Sequence, residues 1–291
     1  MRRIEESELI INADGSIFHL HLKPEQIADT VLLVGDPGRV EMIAAYFDNI
    51  EFSTANREFV TSTGTYRNKR ITVLSTGIGT DNIDIVVTEL DALANIDFET
   101  RTEKQTHKTL NLIRLGTSGS IQPEISIGNF VASHISIGFD GLLNYYANRD
   151  NISLLDFESA FLKHMNWYDK LPVPYFVEAS PKLIKLFEDS TTEGMTVSAP
   201  GFYGPQGRVL RLPLWKADQN ELIEKFEYKN KKITNFEMEG SAIAGLSKLL
   251  GHEAITICTV IANRTNKTAL ADYKNSVRKM IEMALEKIWT L

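Results

Sequence analysis

The chain has 291 residues, enough to bury a sizeable core, and a formal net charge of −7, which argues against a general nucleic-acid-binding surface and leaves any anion to be met by local positive groups. Hydrophobic residues make up 43% and charged residues 24%, as in globular proteins, and no apolar run approaches the ~18 residues of a membrane-spanning helix. The single cysteine, Cys258, rules out an internal disulfide and fits a reducing cytoplasm, and the charged opening from Met1 to Glu8 does not read as an export signal.

In chain order, Thr30–Gly35 reads as a buried strand, with Asp36 as N-cap and Pro37 at the first position of a helix carrying Arg39. Arg70–Gly77 is a second strand. A helix near Asp84–Ala94 follows, with Ile85, Val86, Leu90 and Leu93 at helical spacing. Asp97–His107 is polar without an apolar face and is expected as an exposed loop. Strands are expected at Leu110–Gly116 and Asn129–Gly138. Asn144–Pro174 is irregular and rich in aromatics, and no element is assigned to it. Beyond it come a helix near Lys182–Asp189, a strand at Met195–Ser198, a strand-to-helix junction at Asn235–Leu250, a strand at Glu253–Ala262 and a closing helix near Tyr273–Trp289. Strands alternating with helices indicate an α/β protein with a covered, largely parallel sheet, in which ligands bind beyond the carboxyl ends of strands. Without repeats, low-complexity tracts or linkers, residues 1–291 are expected to form a single domain.

The candidate functional residues cluster at those strand ends. Gly35-Asp-Pro-Gly-Arg39 places a glycine, a helix N-terminus and a guanidinium together, which suits an anion, although an ordinary strand–turn–helix with a surface arginine reads the same way. It is not a dinucleotide fingerprint. Arg114 stands inside an apolar strand, so it meets either an acidic partner or a ligand; Thr117, Ser118 and Gly119 follow it. Phe202, Gln206 and Arg208 combine a ring that can stack on a flat base with a donor–acceptor amide and a pure donor. That set complements a uracil edge, whose N–H lies between two carbonyls. Glu237-Met238-Glu239 places two carboxylates at a strand–helix junction, for ligand binding or simply to cap the helix. Asn56-Arg57-Glu58 and Asn263-Arg264-Thr265 are weak signals alone. Cys258 reads as core packing, His19 as a half-buried histidine, and the other histidines show no cluster or zinc-like spacing.

Taken in order, these runs resemble the nucleoside phosphorylase family, in its branch of bacterial uridine phosphorylases. They are Phe18-His19-Leu20, Gly35–Arg39, Arg57–Phe59, Ser75–Gly79, Arg114–Gly119, Phe202–Arg208, Glu237–Glu239 and Asn263–Thr265. Each is modest, and the ordered set is specific. The resemblance implies a three-layer α/β/α fold around a mixed, partly barrel-like sheet. It implies a homodimer that shares its active sites, usually built into a hexamer, and no organic cofactor. By motif position, Gly35, Arg39, Arg114 and Thr117 would hold phosphate, with Arg57 reaching into the neighbour's site. Met238 and Glu239 would hold ribose, with His19 supplied by the neighbour. Ser118, Gly119, Phe202, Gln206 and Arg208 would hold the base, and Arg264 would order that pocket. Glu58 falls where some relatives place a monovalent cation between subunits, but Thr80-Asp81-Asn82 departs from their Pro-Ser pattern and leaves that cation open. The segments 97–111 and 144–174 also depart, and the second precedes the base loop.

The implied reaction is phosphorolysis of uridine or a related pyrimidine nucleoside, in nucleoside salvage or breakdown. Arg39, Arg114, Thr117, Arg208 and Glu239 are the expected catalytic set. Purine-cleaving relatives carry an aspartate after the last strand, and Val260-Ile261-Ala262-Asn263 has none. The alternatives are a purine phosphorylase, a nucleosidase that uses water and has no need of the arginines, and a non-catalytic nucleoside-binding protein.

Overall fold

The computed structural model describes residues 2–291; Met1, the first residue of the expected single domain, lies outside the described residues. Eleven strands form one sheet: β1 (Thr30–Val34), β2 (Asn49–Asn56), β3 (Phe59–Tyr66), β4 (Lys69–Ser75), β5 (Asn111–Ser120), β6 (Phe130–Gly138), β7 (Tyr175–Glu178), β8 (Thr192–Ser198), β9 (Asn235–Glu237), β10 (Glu253–Asn263) and β11 (Thr268–Ala269). The helices among the described residues are α1 (Pro37–Ala44), α2 (Thr80–Asn95), α3 (Leu155–Met165), α4 (Pro181–Phe187), α5 (Gln219–Lys225), α6 (Gly240–Leu249) and α7 (Lys274–Ile288). None is long and apolar enough to cross a membrane.

Burial on both faces makes three layers. Along β1 successive side chains point to opposite faces. Val31 and Leu33 enter a core with Val86 and Leu90 of α2 and Ile243 of α6. Leu32 and Val34 enter another with Val40 of α1, Leu183 of α4 and Met280 of α7. A third apolar cluster packs α3, through Phe157, Phe161 and Met165, against Ile137, Phe176 and Val197.

The sheet is mixed rather than largely parallel. β1 lies parallel to β4 and β5, and β8 parallel to β6 and β9. The β2–β3–β4 meander is antiparallel, as are the β5–β9, β6–β7 and β6–β10 pairs. β5, β10, β6, β8 and β9 pair in a closed ring, which is the barrel-like part. β5 lies beside β1 over Asn111–Arg114, then meets β9 at Gly119 and Ser120, while β10 follows it throughout. Along residues 115–118 the β1 side and the β9 side part, and a crevice opens there.

Two segments differ from the sequence-based expectation. The stretch 144–174 contains α3, whose apolar residues at i, i+4 and i+8 cover the barrel. The polar run 97–107 is only partly a loop. Asp97 and Thr102 pair in a short ladder, and Arg101 turns inward to donate to the carbonyls of Ile4, Glu5 and Leu9. Residues 103–109 are exposed as expected.

Candidate active site

The crevice is a cavity of about 930 Å³. It collects most of the expected residues: Gly35, Arg39, Arg114, Thr117, Ser118, Gly119, Phe202, Gln206, Arg208, Met238 and Glu239 all line it. Arg264, His19 and Arg57 are not among the lining residues.

At one end stands the turn after β1. Asp36 caps α1 by accepting the Gly38 N–H at 2.9 Å, and Pro37 starts the helix. Arg39, on the first turn, is half-buried and donates to the Leu115 carbonyl at 3.2 Å. It has no carboxylate partner, and burial, then the neighbouring Arg114, lower its guanidinium from the ordinary value.

Of the two options left by the sequence, Arg114 has the acidic partner, and it also lines the cavity. It is only 4% exposed, and its Nη2 donates to Glu239 while Nη1 lies 3.3 Å from Glu237. Nη1 also approaches the Cys258 thiol at 3.6 Å. Burial alone would lower this guanidinium, yet Glu239 and Glu237 outweigh it and hold Arg114 above its usual value. Burial raises the Glu239 carboxyl; Arg114 opposes that shift and Glu237 adds to it, because two carboxylates compete for one cation. Burial likewise pushes the Cys258 thiol up to about 12, so this cysteine is neutral packing. Nε of Arg114 and the Ser118 hydroxyl are buried without a protein partner; such groups are costly unless a ligand or water meets them. Gly116 is required here, because a Cβ would collide with the Arg114 guanidinium.

The two glutamates do different work. Glu237 accepts the N–H groups of Glu239 and Gly240 at 2.9 Å, and the Ser198 hydroxyl. It is a helix cap for α6. Glu239 takes the Gly79 N–H at 2.8 Å as well as Arg114, which ties the Ser75–Gly79 run to the site. Its neighbour Met238 is half-buried at the cavity wall.

The other end is built on the loop after β8. Gln206 is buried, and its Oε1 accepts from Arg208 at 2.6 Å and Arg264 at 2.7 Å. Both partners can only donate, so the amide oxygen faces them and the NH₂ is the free donor. The acceptor half of the expected donor–acceptor face of Gln206 is therefore taken by Arg208 and Arg264. Arg208 also donates to the Phe202 carbonyl at 2.6 Å and lies 3.7 Å over the Phe202 ring, which is 50% exposed. Arg264 sits behind the cavity against Phe236, 4.7 Å from the ring centroid, and holds the Gln206 carbonyl. Burial, then Arg208, push it down to about 10. On either side of Arg264, Asn263 donates to the Gln122 and Ile125 carbonyls at 2.9 Å, and Thr265 donates to the Ile121 carbonyl at 2.7 Å. Those two are structural. The carboxylates lining the cavity are Asp36, Glu58, Glu237 and Glu239, and the wall of Ile261 and Ala262 adds none.

His19 and Arg57 share a separate patch. Asn56 donates to the His19 carbonyl at 2.8 Å, and Arg57 lies 6.0 Å from the Phe18 ring centroid. The His19 ring contacts Glu89 at 2.6 Å. Arg57 is exposed at the β2–β3 turn with φ 56°, a conformation that costs a non-glycine residue roughly 1 kcal/mol or more and clusters at functional sites. Next to it, Glu58 accepts from the Asn82 amide at 3.1 Å. Away from the cavity, His107 and His252 stack at 5.5 Å, a pairing the sequence did not suggest. The cavity also includes Gly77, Ile78 and Tyr273. Gly77, in the Ser75–Gly79 run, was findable from the sequence, whereas Tyr273 sits at the start of α7 with no motif around it.

The Phosphorylase superfamily profile matches residues 29–290. A uridine phosphorylase of Thermococcus kodakarensis is 30% identical over 264 residues, 90% of this chain and 83% of that protein. A purine nucleoside phosphorylase of the DeoD type from Bacillus subtilis is 29% identical over 275 residues, 93% of this chain and 98% of that protein. Among solved structures, a Trypanosoma brucei nucleoside phosphorylase described as showing uridine phosphorylase activity superposes with a TM-score of 0.84 at 29% identity, covering 97% of this chain and all of that one.

Proposed function

The chain belongs to the phosphorylase superfamily, and on that premise we propose that it cleaves uridine with inorganic phosphate to give uracil and ribose 1-phosphate. One observation carries the reading: a single cavity joins an arginine-bearing anion end to a base end that offers guanidinium and amide donors and no carboxylate. Overall identity does not choose the base, since uridine and purine relatives match about equally well. A purine leaving group would want an acid near its N7. Uracil instead wants donors for two carbonyls and one acceptor for its N–H.

Phosphate is held by the Gly35 backbone, Arg39, Arg114 and Thr117, and attacks C1′ of the ribose from the side opposite the base. The new C1′–O bond forms as the C1′–N1 bond breaks. Its electron pair leaves with the uracil, which then takes up a proton. Positive charge on the sugar is met by the phosphate, and the enzyme forms no covalent bond. Glu239 and Met238 orient the ribose. At the base, Arg208 turns from Gln206 to a uracil carbonyl. That frees one lone pair of the Gln206 oxygen for the base N–H while the amide NH₂ meets the second carbonyl. A guanidinium and an amide NH₂ brought to the uracil carbonyls stabilise the negative charge that develops on the departing base. Ser118 and Gly119 border the base, and Arg264 keeps Gln206 in place throughout.

The charges also call for a neighbour. The Arg114 charge is already shared between Glu237 and Glu239, which leaves Arg39 as the uncommitted cation at the anion end, so a phosphate dianion calls for another cation. Arg57 and His19 lie together outside this cavity, and in a homodimer they complete the partner's site, Arg57 at phosphate and His19 at ribose. Such dimers can build a hexamer. We read the reaction as using no organic cofactor and the enzyme as cytoplasmic. Phosphorus NMR of uridine incubated with phosphate and purified protein tests the proposal. A ribose 1-phosphate signal is expected, and uracil release with the phosphate signal unchanged would make the enzyme a hydrolase.

A further inference from the structure

One wall of the active-site cavity carries a polar group that the proposed phosphorolysis does not use. Tyr273 lines the cavity together with Arg39, Arg114 and Thr117. It stands at the entrance to α7, and its carbonyl accepts the Val277 N–H at 3.0 Å, so the helix is continuous with it. The side chain is 38% exposed. Among the described residues its hydroxyl has no hydrogen-bond partner, not even as a cap of the helix it opens.

Two contacts fix where this residue stands. Ser276, one turn on and on the same face of the helix, shares a hydrogen bond with the Thr259 hydroxyl at 2.5 Å. Thr259 on β10 lies directly beside Thr117 on β5. Val277, the next residue, shares a core with Val40, the neighbour of Arg39 on α1. The start of α7 is therefore tied on one side to the strand pair that carries Thr117 and on the other to the helix that carries Arg39. Burial, then Arg114, lower the Arg39 guanidinium, and Tyr273 is among the groups that oppose them, so the two side chains lie within electrostatic reach of each other.

We propose that Tyr273 is a further phosphate-binding residue, whose hydroxyl donates to an oxygen of the phosphate held by Arg39 and Thr117. The inference rests on the phosphate reading of that end of the cavity. A phosphate dianion offers more lone pairs than Arg39, Arg114 and Thr117 can meet, and a phenol adds a donor without adding a charge. An O–H donated to an anionic oxygen is among the stronger hydrogen bonds. Tyr273 lies outside the runs that carry the family resemblance, so this contact belongs to the chain's own sequence.

The test is phosphate saturation kinetics with uridine for the wild type and Tyr273→Phe, with calorimetric titration of inorganic phosphate into both and into Arg39→Ala. Tyr273→Phe keeps the ring and removes one donor. It should raise the phosphate KM and Kd about 10-fold, the lower end for a hydrogen bond to a charged group. The uridine KM at saturating phosphate should stay within about twofold, and the melting temperature within about 2 °C, since the hydroxyl holds nothing in the protein. Equal phosphate constants for Tyr273→Phe overturn the inference; with Arg39→Ala weakened at the same time, the phosphate site itself stands. A uridine KM that rises while the phosphate KM holds also overturns it, by moving the phenol to the nucleoside. A wild type that neither binds phosphate nor needs it for cleavage overturns both readings.

Discussion

Replacing Arg39 and Arg114 by alanine, one at a time, separates two jobs that the sequence leaves merged. The Arg39 side chain makes one protein hydrogen bond, to the Leu115 carbonyl, and has no carboxylate partner. Its loss should cost little stability but remove a charge-assisted bond to phosphate of about 1.5–3 kcal/mol. At 1.36 kcal/mol per decade that is a rise in the phosphate KM of roughly 10- to 150-fold. Arg114 is the cation between two buried carboxylates. Removing it strands Glu237 and Glu239, at a cost of about 3–5 kcal/mol. In a chain of this size that lowers the melting temperature by about 6–15 °C. The effect depends on pH with a definite sign. Burial already raises the Glu239 carboxyl and Arg114 opposes the shift, so without Arg114 it rises further. A carboxyl raised in the folded state binds more protons there than in the unfolded chain, from its ordinary value up through the raised one. Stability is then lost as pH climbs through that window and regained toward acid, so the gap to wild type should narrow between pH 8 and pH 5. Melting curves at both pH values, with a phosphate titration of activity, check all of this. An Arg114→Ala protein melting within about 2 °C of wild type at pH 8 would refute the buried charge triad. An unchanged phosphate KM for Arg39→Ala would remove Arg39 from the anion site.

Three further outcomes follow from the geometry. Arg208→Ala should lower kcat on uridine by ~10²-fold, as for a lost oxyanion donor, and an unchanged kcat would end its leaving-group role. Asn263→Ala removes the side-chain donor to the Ile125 carbonyl and one of the donors to the Gln122 carbonyl and should cost about 1–3 kcal/mol in denaturant melts; kcat should stay close to wild type, and a kcat collapse at unchanged stability would make Asn263 part of the chemistry. Two inactive variants, His19→Ala and Glu239→Gln, should regain about a quarter of wild-type activity when co-assembled, because half the dimers then hold one intact shared site; no recovery would place His19 outside the neighbour's site.

Much of the fold was readable because buried strands announce themselves. Thr30–Val34 and Glu253–Asn263 are β-branched or apolar almost throughout, and both lie covered in the sheet. The β2–β3 hairpin was not readable. Consecutive Ser53-Thr54 and Thr61-Ser62-Thr63 break the apolar alternation that marks a strand, β2 is largely exposed, and the turn is made by Arg57 at a positive φ rather than by a glycine. α3 should have been found, since Phe157, Phe161 and Met165 keep helical spacing; the surrounding aromatics and prolines hid it. At the site, single motifs said little and their order said most. What only coordinates supply is division of labour within a motif. Glu237 caps a helix while Glu239, two residues on, holds Arg114 in the cavity. Asn263 and Thr265 fasten a loop while Arg264 between them holds Gln206. Strand alternation and a helix start decide those outcomes, and both depend on register.

The most direct measurement is uracil release from uridine by purified protein, with and without inorganic phosphate, with inosine in parallel. Phosphate-dependent release from uridine and none of hypoxanthine from inosine is the expected result. Release without phosphate, or cleavage of inosine alone, would contradict the assignment of the arginine end to phosphate or of the Gln206–Arg208 end to a pyrimidine.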